Sequence, residues 1–288
     1  MAISRAQLVK ELEPGLNALF GLEYKRYENQ HAEIYTTESS DRAFEEEVML
    51  SGFANAQVKA EGSGVSFDEA QETYTARYTH DTIALAFAIT EEAIEDNLYD
   101  RIASRYTKAL ARSMSNAKQV KAVTPLNNGL SSVATFNSGD GISLFSTNHT
   151  TVSGTAVKNT LTTQADLNET SLEQGLIDIA GMTDERGLRV AARGVKMIIP
   201  SANQFNAERL MKSQGRTGTA DNDINAVVSM GMVPQGYRVN NFLTDTDSWY
   251  IITDVPNGMK MFQRAALKTA MEGDFDTGNV RYKARERY

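Results

Sequence analysis

Cysteine is absent from the 288-residue sequence, and histidine occurs only three times, at His31, His80 and His149. The lack of cysteine excludes disulfide bonds, thiolate nucleophiles and cysteine-ligated zinc together, and it is typical of proteins from a reducing compartment. The three histidines lie far apart and do not have the spacing of metal ligands. We therefore expect neither a disulfide framework nor a bound metal.

Signatures of cofactor binding and of membranes are also missing. The sequence contains neither Gly-x-Gly-x-x-Gly nor a phosphate-loop lysine motif. Its amphipathic start carries Glu11 and Glu13, so it predicts neither a secretion signal nor a membrane span. The net charge of -8 argues against a tight grip on nucleic acid, because proteins that hold nucleic acid along a surface are usually basic. We expect no cofactor and no membrane partner.

Residues 276–278 read Asp-Thr-Gly, the signature of aspartic proteases. Those enzymes need two carboxylates that share one proton, and the sequence holds one Asp-Thr-Gly and no Asp-Ser-Gly. Residues 273–279 are rich in turn formers and lie between two strand-like runs. We favour a turn, expect no enzyme and assign no catalytic residue. An aspartic protease stays as a remote alternative.

Two further stretches partly match known motifs, one for calcium binding and one for catalysis. Residues 221–226 start like a calcium loop, but Ala226 and Met232 stand where such a loop needs Gly and Glu. His149 lies close to Ser146, yet neighbours in sequence carry no information about a catalytic triad. We expect Asx turns in the first stretch and a loop-anchoring histidine in the second.

Periodicity predicts an α+β chain. Residues 4–22 have helical spacing, with a kink or two short helices expected at Pro14 and Gly15. Residues 48–53 and 71–82 have the character of two strands of a long hairpin with a soft tip near residues 59–64. Residues 91–123 predict one very long helix, capped by Thr90 and stopped by Pro125. Helices and strands then follow without regular alternation.

Charge is concentrated in two places. Residues 28–47 are acidic and end in Glu45, Glu46 and Glu47. In the last strand, strand periodicity puts four basic residues on one side: Arg281, Lys283, Arg285 and Arg287. Each cluster is either a solvated face or part of a boundary between subunits, and a nucleic-acid surface is a further alternative for the basic one.

The order of these elements resembles the Hong Kong 97-type capsid fold of tailed phages, and long stretches resemble the Mu-type major head subunit. The resemblance extends over nearly the whole chain and rests on five stretches: EYKRYENQHAEIYTTESSDRAFEEEVMLSGF, ITEEAIEDNLYDRIASRYTKALARSM, LFSTNH, GTADNDINAVVSMG and DTGNVRYKARERY. One departure is Thr150, which follows His149 where the family often has proline.

The resemblance implies a domain plan. It consists of an N-terminal arm (1–47), an extended hairpin loop (48–82), a peripheral domain (83–200) with a spine helix (91–123), an axial domain (201–247) and peripheral return strands (248–288). The contacts between subunits are expected at Val58 and Lys59, at Glu45, Glu46 and Glu47, and at the basic residues of the last strand. Asp221, Asn222 and Asp223 are expected at the axial tip.

The resemblance also implies the function. The chain would be a major capsid protein that self-assembles, as hexamers and pentamers, into an icosahedral shell around double-stranded DNA. Expected partners are the chain itself, portal, scaffold and cement proteins, and packaged DNA through weak non-specific contact. The chain would be part of the virion and assemble in the host cytoplasm. An encapsulin-like shell that holds a cargo enzyme is the alternative.

Overall fold

The structure of the chain is a computed structural model that describes residues 5–90, 92–93, 99–216, 223–274 and 277–288. The chain divides into two units, each made of segments that are far apart in sequence. The first unit contains Met1–Glu45, Thr79–Ala122 and Lys260–Tyr288. The second contains Glu46–Tyr78 and Val123–Met259.

A three-stranded antiparallel sheet is the framework of the first unit. Its order is β11–β12–β4, with β4 at Thr82–Ile89, β11 at Ala265–Gly273 and β12 at Val280–Arg287. Along β12, Tyr282 and Ala284 are buried while Arg281, Lys283 and Arg285 are exposed, because successive side chains of a strand point to opposite faces. One face of the sheet therefore meets the core and the other is basic.

The first helix, α1 at Arg5–Arg26, packs on the buried face of this sheet. The alternative of two short helices is wrong, because a single helix runs through Pro14. Proline costs about 3 kcal/mol inside a helix. Tertiary contacts after it offset that cost: Leu16 and Phe20 lie in the core, and Asn17 Oδ1 accepts from Thr269 Oγ1 at 2.7 Å.

The longest helix, α2, spans Tyr99–Asn127 and contributes Leu110 and Met114 to the same core. The backbone N of Ala93 donates to Thr90 Oγ1 at 3.4 Å, which agrees with the predicted cap. Residues 91 and 94–98 of the predicted helix lie outside the described residues. The expectation that Pro125 stops the helix is wrong, because the helix continues through Pro125 to Asn127. A tertiary bond supports its last turns, since the Ala122 carbonyl accepts from the Tyr35 hydroxyl at 2.7 Å.

A second, two-stranded sheet in the first unit pairs β1 (Thr36–Ser39) in parallel with β10 (Lys260–Gln263). The sequence pattern predicts a single strand over 258–271, and the structure divides it at Arg264 into β10 and β11. Strand periodicity does not distinguish the two parts, because it carries no information about which neighbour completes the backbone hydrogen bonds.

In the second unit, a three-stranded sheet has the order β8–β7–β9 and packs against two helices. The strands are β7 (Gly194–Ile199), β8 (Tyr237–Val239) and β9 (Tyr250–Thr253), and the helices are α3 (Glu169–Ala180) and α4 (Gln204–Lys212). The Asn168 and Ser171 side chains form a capping box at the start of α3. Leu172 and Met197 are fully buried between these elements.

The remaining elements are short. The long polar loop after α2 contains only a 3-10 turn (Ala134–Phe136) and the paired strands β5 (His149–Thr150) and β6 (Ala156–Val157). The helix α5 covers Ala226–Ser229. Two longer strands, β2 (Phe44–Leu50) and β3 (Glu72–Thr79), pair with each other alone among the described strands.

Candidate assembly surfaces

The strands β2 and β3 form the predicted hairpin. Ser51 N donates to Gln71 O at 2.8 Å, and Thr73 Oγ1 donates to Met49 O at 3.0 Å, so the chain returns along itself. Residues 51–71 between the strands contain neither helix nor strand. A two-stranded hairpin is only marginally stable by itself in water. Packing of its apolar side chains against another surface would therefore stabilise it.

The loop of this hairpin exposes large apolar side chains. Val58 is 100% exposed and Phe67 is 98% exposed, and Phe53 and Val65 are also exposed. Lys59, the predicted contact beside Val58, is exposed as well. A loop that exposes several large apolar side chains is typical of an interaction site. Val58 and Lys59 are therefore placed where a neighbouring chain has access to them.

The base of the loop is held by an arginine that the sequence reasoning missed. Arg186 Nη2 donates to Glu69 O at 2.6 Å and lies 3.4 Å from Asp68 Oδ1, while its Nε donates to Gly52 O at 3.1 Å. Backbone bonds to Ala54 and Glu69 are the leading cause that holds the pKa of Asp68 below its usual value. Arg186 thus joins both ends of the loop, and no sequence signal links it to them.

The acidic residues before the loop have partners in their own chain. Glu45 Oε1 accepts from Ser40 Oγ at 2.6 Å, and Glu46 Oε1 accepts from Arg77 Nε at 2.7 Å. Glu47 is half-buried and also has a partner. The three glutamates alternate along β2, so they do not form one continuous acidic face.

The basic residues of β12 do share one face. Strand β4 presents small residues beside them, with Ala88 opposite Arg281, Ala86 opposite Lys283 and Ala84 opposite Arg285. On the other side, Lys268 of β11 lies directly opposite Arg285, and Glu272 opposite Arg281. We call this surface the basic sheet face and define it by Lys268, Arg281, Lys283, Arg285 and Arg287.

Like charges directly opposite one another destabilise a strand pair, and alanine neighbours offer no hydrogen bonds to either. Among the described residues, Arg281 is the member of this face that forms an ion pair, with Asp274 in the turn. Arg287 is half-buried, whereas Lys283 and Arg285 are exposed. The middle of the basic sheet face therefore has positive charge that a partner of opposite charge can neutralise.

The buried side of β12 holds an ionic cluster that sequence reasoning missed. Glu286 is 2% exposed, and its Oε1 accepts from Lys118 Nζ at 2.5 Å. Tyr24 OH donates to Glu286 Oε2 at 3.2 Å, and Gln263 Nε2 donates to Oε1 at 3.1 Å. Burial first, and then the Glu286 charge, raise the pKa of Tyr24. The alternation of β12 is the only sequence signal that marks Glu286 as buried.

The predicted axial region is partly described. Asp221 and Asn222 lie outside the described residues, and Asp223 is exposed. The Asp223 carbonyl accepts from Arg216 N at 2.9 Å. Next to it, Ile224 and Met230 are exposed apolar side chains. Asn225 Oδ1 accepts from Val228 N at 3.3 Å, so an Asx-type cap is present in this stretch, as expected.

Two sequence motifs have structural roles. His149 Nδ1 lies 2.7 Å from Asp140 Oδ2 and joins two parts of the same loop, which agrees with an anchoring histidine. The Asp-Thr-Gly motif lies between β11 and β12, where Thr277 Oγ1 donates to Asp274 Oδ2 at 2.9 Å and Gly278 has a φ of 67°. This confirms the predicted turn, although Asp276 itself lies outside the described residues.

The described part of the chain holds neither a group of metal ligands nor a membrane-spanning helix. There, no group of three or more His, Asp or Glu side chains has a metal-binding arrangement. No helix in the same residues combines the length and the apolar character needed to span a bilayer.

Comparisons with solved structures identify the fold. The procapsid of bacteriophage JBD30 matches with 14% identity and a TM-score of 0.56, covering 84% of this chain and 100% of that chain. The JBD30 capsid matches with 12% identity and a TM-score of 0.54, covering 74% of this chain and 90% of that chain. A virus-like particle from Pyrococcus furiosus matches with 10% identity and a TM-score of 0.51, covering 95% and 92%. The mixed helix and strand fold is therefore that of phage capsid proteins.

The sequence comparison identifies the family. No curated protein matches the chain significantly. A family profile described as phage capsid protein matches residues 73–288, which is well over half of the chain and includes β4, α2, β7 and the basic sheet face. The chain belongs to the phage capsid protein family and is therefore a subunit of a phage capsid.

Proposed function

We propose that this subunit assembles with itself, as hexamers and pentamers, into an icosahedral shell around double-stranded DNA. The observation that carries the proposal is the hairpin: a two-stranded ribbon with a loop that exposes four large apolar side chains, of which Val58 and Phe67 are almost fully exposed. Such a loop gains stability only when a second surface covers it. The finer assignments, a Mu-type head subunit with a Hong Kong 97-type plan, belong to this proposal.

Under this plan the described elements take specific roles. The arm is residues 1–47, the extended hairpin loop 48–82 and the axial domain 201–247, with peripheral segments at 83–200 and 248–288. Val58 and Lys59 contact a neighbouring subunit. Asp221, Asn222 and Asp223 lie near the axial tip, where the exposed Ile224 and Met230 provide apolar contact area.

The basic sheet face is assigned to a boundary between subunits. Glu46 is engaged by Arg77 of its own chain, whereas Lys283 and Arg285 are exposed next to alanines. Across a repeated boundary, opposite charges select which edges meet, and like charges repel wrong pairings. Glu45, Glu46 and Glu47 contribute negative potential to the hairpin side, although each has a partner within the chain.

Other head proteins are proposed partners. One structure similar to this chain is described as a JBD30 capsid decorated with minor capsid protein trimers, at 12% identity and a TM-score of 0.56. By analogy, we include cement proteins among the partners here, together with portal and scaffold proteins. DNA contact is weak and non-specific, because the net charge of the chain is -8.

The test is to purify the chain from an expressing host and examine it by electron microscopy, particle sizing and nuclease treatment. We expect closed particles of uniform size. In infected cells, where packaging occurs, we expect nuclease-protected DNA within them. Particles that instead enclose a protein cargo and no DNA would favour the encapsulin-like alternative. A chain that stays monomeric under all assembly conditions would contradict both.

A further inference from the structure

Several strand ends of the first unit meet at one place, which we call the strand-end junction. Three backbone hydrogen bonds close it: Ser40 N to Gln263 O at 3.1 Å, Arg264 N to Arg287 O at 3.0 Å, and Asp81 N to Tyr288 O at 2.9 Å. The ends of β1, β3, β10 and β12 are thereby brought together. Polar side chains from segments far apart in sequence therefore share one small volume.

Two arginines at this junction have buried donors without acceptors. The Nε atoms of Arg264 and Arg287 are both buried, and neither has a hydrogen-bond partner among the described residues. The two residues are neighbours through the bond from Arg264 N to Arg287 O. A buried donor of a charged group is costly to leave without an acceptor.

The other polar groups of the junction do not accept hydrogen bonds from these two Nε atoms. His80 is buried, with Nε2 at 2.9 Å from Ser40 Oγ, and the Ser40 hydroxyl donates to Glu45 Oε1 at 2.6 Å. Glu45 is thus engaged by Ser40. Burial first, and then the charges of Arg287 and Arg264, hold the pKa of His80 below its usual value, while Glu45 opposes them.

We propose that Arg264 and Arg287 form a binding site for an oxyanion, a carboxylate or a phosphate group. A planar guanidinium presents parallel N–H donors whose spacing matches two oxygens of such a group. One oxyanion between the two side chains supplies the acceptors that both Nε atoms lack and neutralises the adjacent positive charges. The site is separate from the hairpin loop, and it shares Arg287 with the basic sheet face that the proposed function places at a subunit boundary.

The experiment measures binding of inorganic phosphate and of acetate to the full-length protein by calorimetry, at constant ionic strength maintained with sodium chloride. We expect saturable binding of at least one probe. The double variant Arg264→Gln/Arg287→Gln should weaken it by about tenfold or more, since two charge-assisted hydrogen-bond donors are lost. The matched control is Arg285→Gln, which removes an exposed charge on the same strand and should leave binding unchanged within about twofold.

The two probes distinguish the source of the oxyanion. Preference for phosphate indicates a free or nucleic-acid phosphate, and equal or better binding of acetate indicates a carboxylate side chain. If the double variant does not fold, Arg264→Lys and Arg287→Lys replace it, because each keeps the charge and removes the planar fork. The proposal is overturned if neither probe binds, if the fork-removing variants bind as well as the parent, or if Arg285→Gln loses as much affinity.

Discussion

At the scale of single residues, the Lys118–Glu286 pair is the main buried ionic contact of the described first unit. Its side chains are 12% and 2% exposed, and they come from α2 and β12. Removing both charges from such a pair is often tolerated, whereas removing one leaves an uncompensated buried charge. The neighbouring Lys121–Asp81 pair is exposed and provides a comparison on the same helix.

We predict that Lys118→Met lowers the free energy of unfolding by roughly 3 kcal/mol, because Glu286 is left buried without its cation. Lys121→Met should cost less than about 1 kcal/mol, since solvent screens that pair. Chemical denaturation of assembly-incompetent subunits measures both. Adding Glu286→Leu to Lys118→Met should recover part of the loss. Equal effects of the two lysine variants would show that burial does not set the strength of the pair.

Two buried histidines give the first unit a pH dependence. Burial, and then the Lys118 charge, lower the pKa of His31, while Gln119 and Glu286 oppose them. Burial and then Arg287 lower the pKa of His80, with Arg264 acting in the same sense and Glu45 opposing. The unfolded chain therefore takes up protons first as the pH falls through about 6.5.

We predict that subunit stability falls between about pH 7.5 and pH 5.5, because the stabilising contribution of neutral imidazoles is present above the unfolded pKa and is lost below it. His31→Gln and His80→Gln should each flatten that decrease. Thermal unfolding at matched ionic strength measures the slope. An unchanged slope in the double variant would assign the pH dependence to carboxylates instead.

At the scale of elements, the hairpin of β2 and β3 depends on contacts outside itself. Its strands pair only with each other among the described residues, and its loop is fixed at the base by Arg186 and exposed beyond it. The segment from Ala54 to Gly64 lies wholly in the exposed part. The rest of the chain therefore loses few contacts when this segment is removed.

We predict that deleting Ala54 to Gly64 leaves a folded subunit that no longer forms shells. Circular dichroism and thermal unfolding check the fold, and particle sizing checks assembly. A milder variant, Val58→Ser, removes one exposed apolar side chain and should weaken assembly without changing subunit stability. Particles of normal size and yield from the deletion variant would rule out a contact role for the loop.

At the scale of the whole molecule, charge is distributed unevenly over a chain whose net charge is -8. The basic sheet face concentrates five cations, and Lys268 and Arg285 lie directly opposite each other within it. An isolated pair at the surface contributes at most about 1 kcal/mol, but a shell repeats the contact at every boundary. Assembly is therefore the property most sensitive to this face.

We predict that Lys283→Glu with Arg285→Glu leaves the subunit folded and makes assembly fail or depend on salt. These two positions are exposed, whereas Arg287 has a buried Nε and its replacement would also disturb the strand-end junction. Assembly followed by light scattering at low and high salt measures the effect. If the double variant assembles normally at low salt and at high salt, the basic sheet face is covered by solvent and not by a neighbouring subunit.

Local pattern in the sequence was sufficient for the alternation of β12, the exposed hairpin loop, the long helix and the turn at Asp-Thr-Gly, because these depend on neighbours a few residues apart. Of its expectations, two short helices at Pro14 and a helix end at Pro125 were wrong, and tertiary contacts of Leu16 and Ala122 support the helices near these prolines. Only the tertiary structure decided the burial of Glu286 against Lys118, 168 residues away, and the meeting of Arg264 with Arg287. Contacts between residues so far apart in sequence depend on how the whole chain packs. A local pattern in one sequence does not predict which of these residues meet.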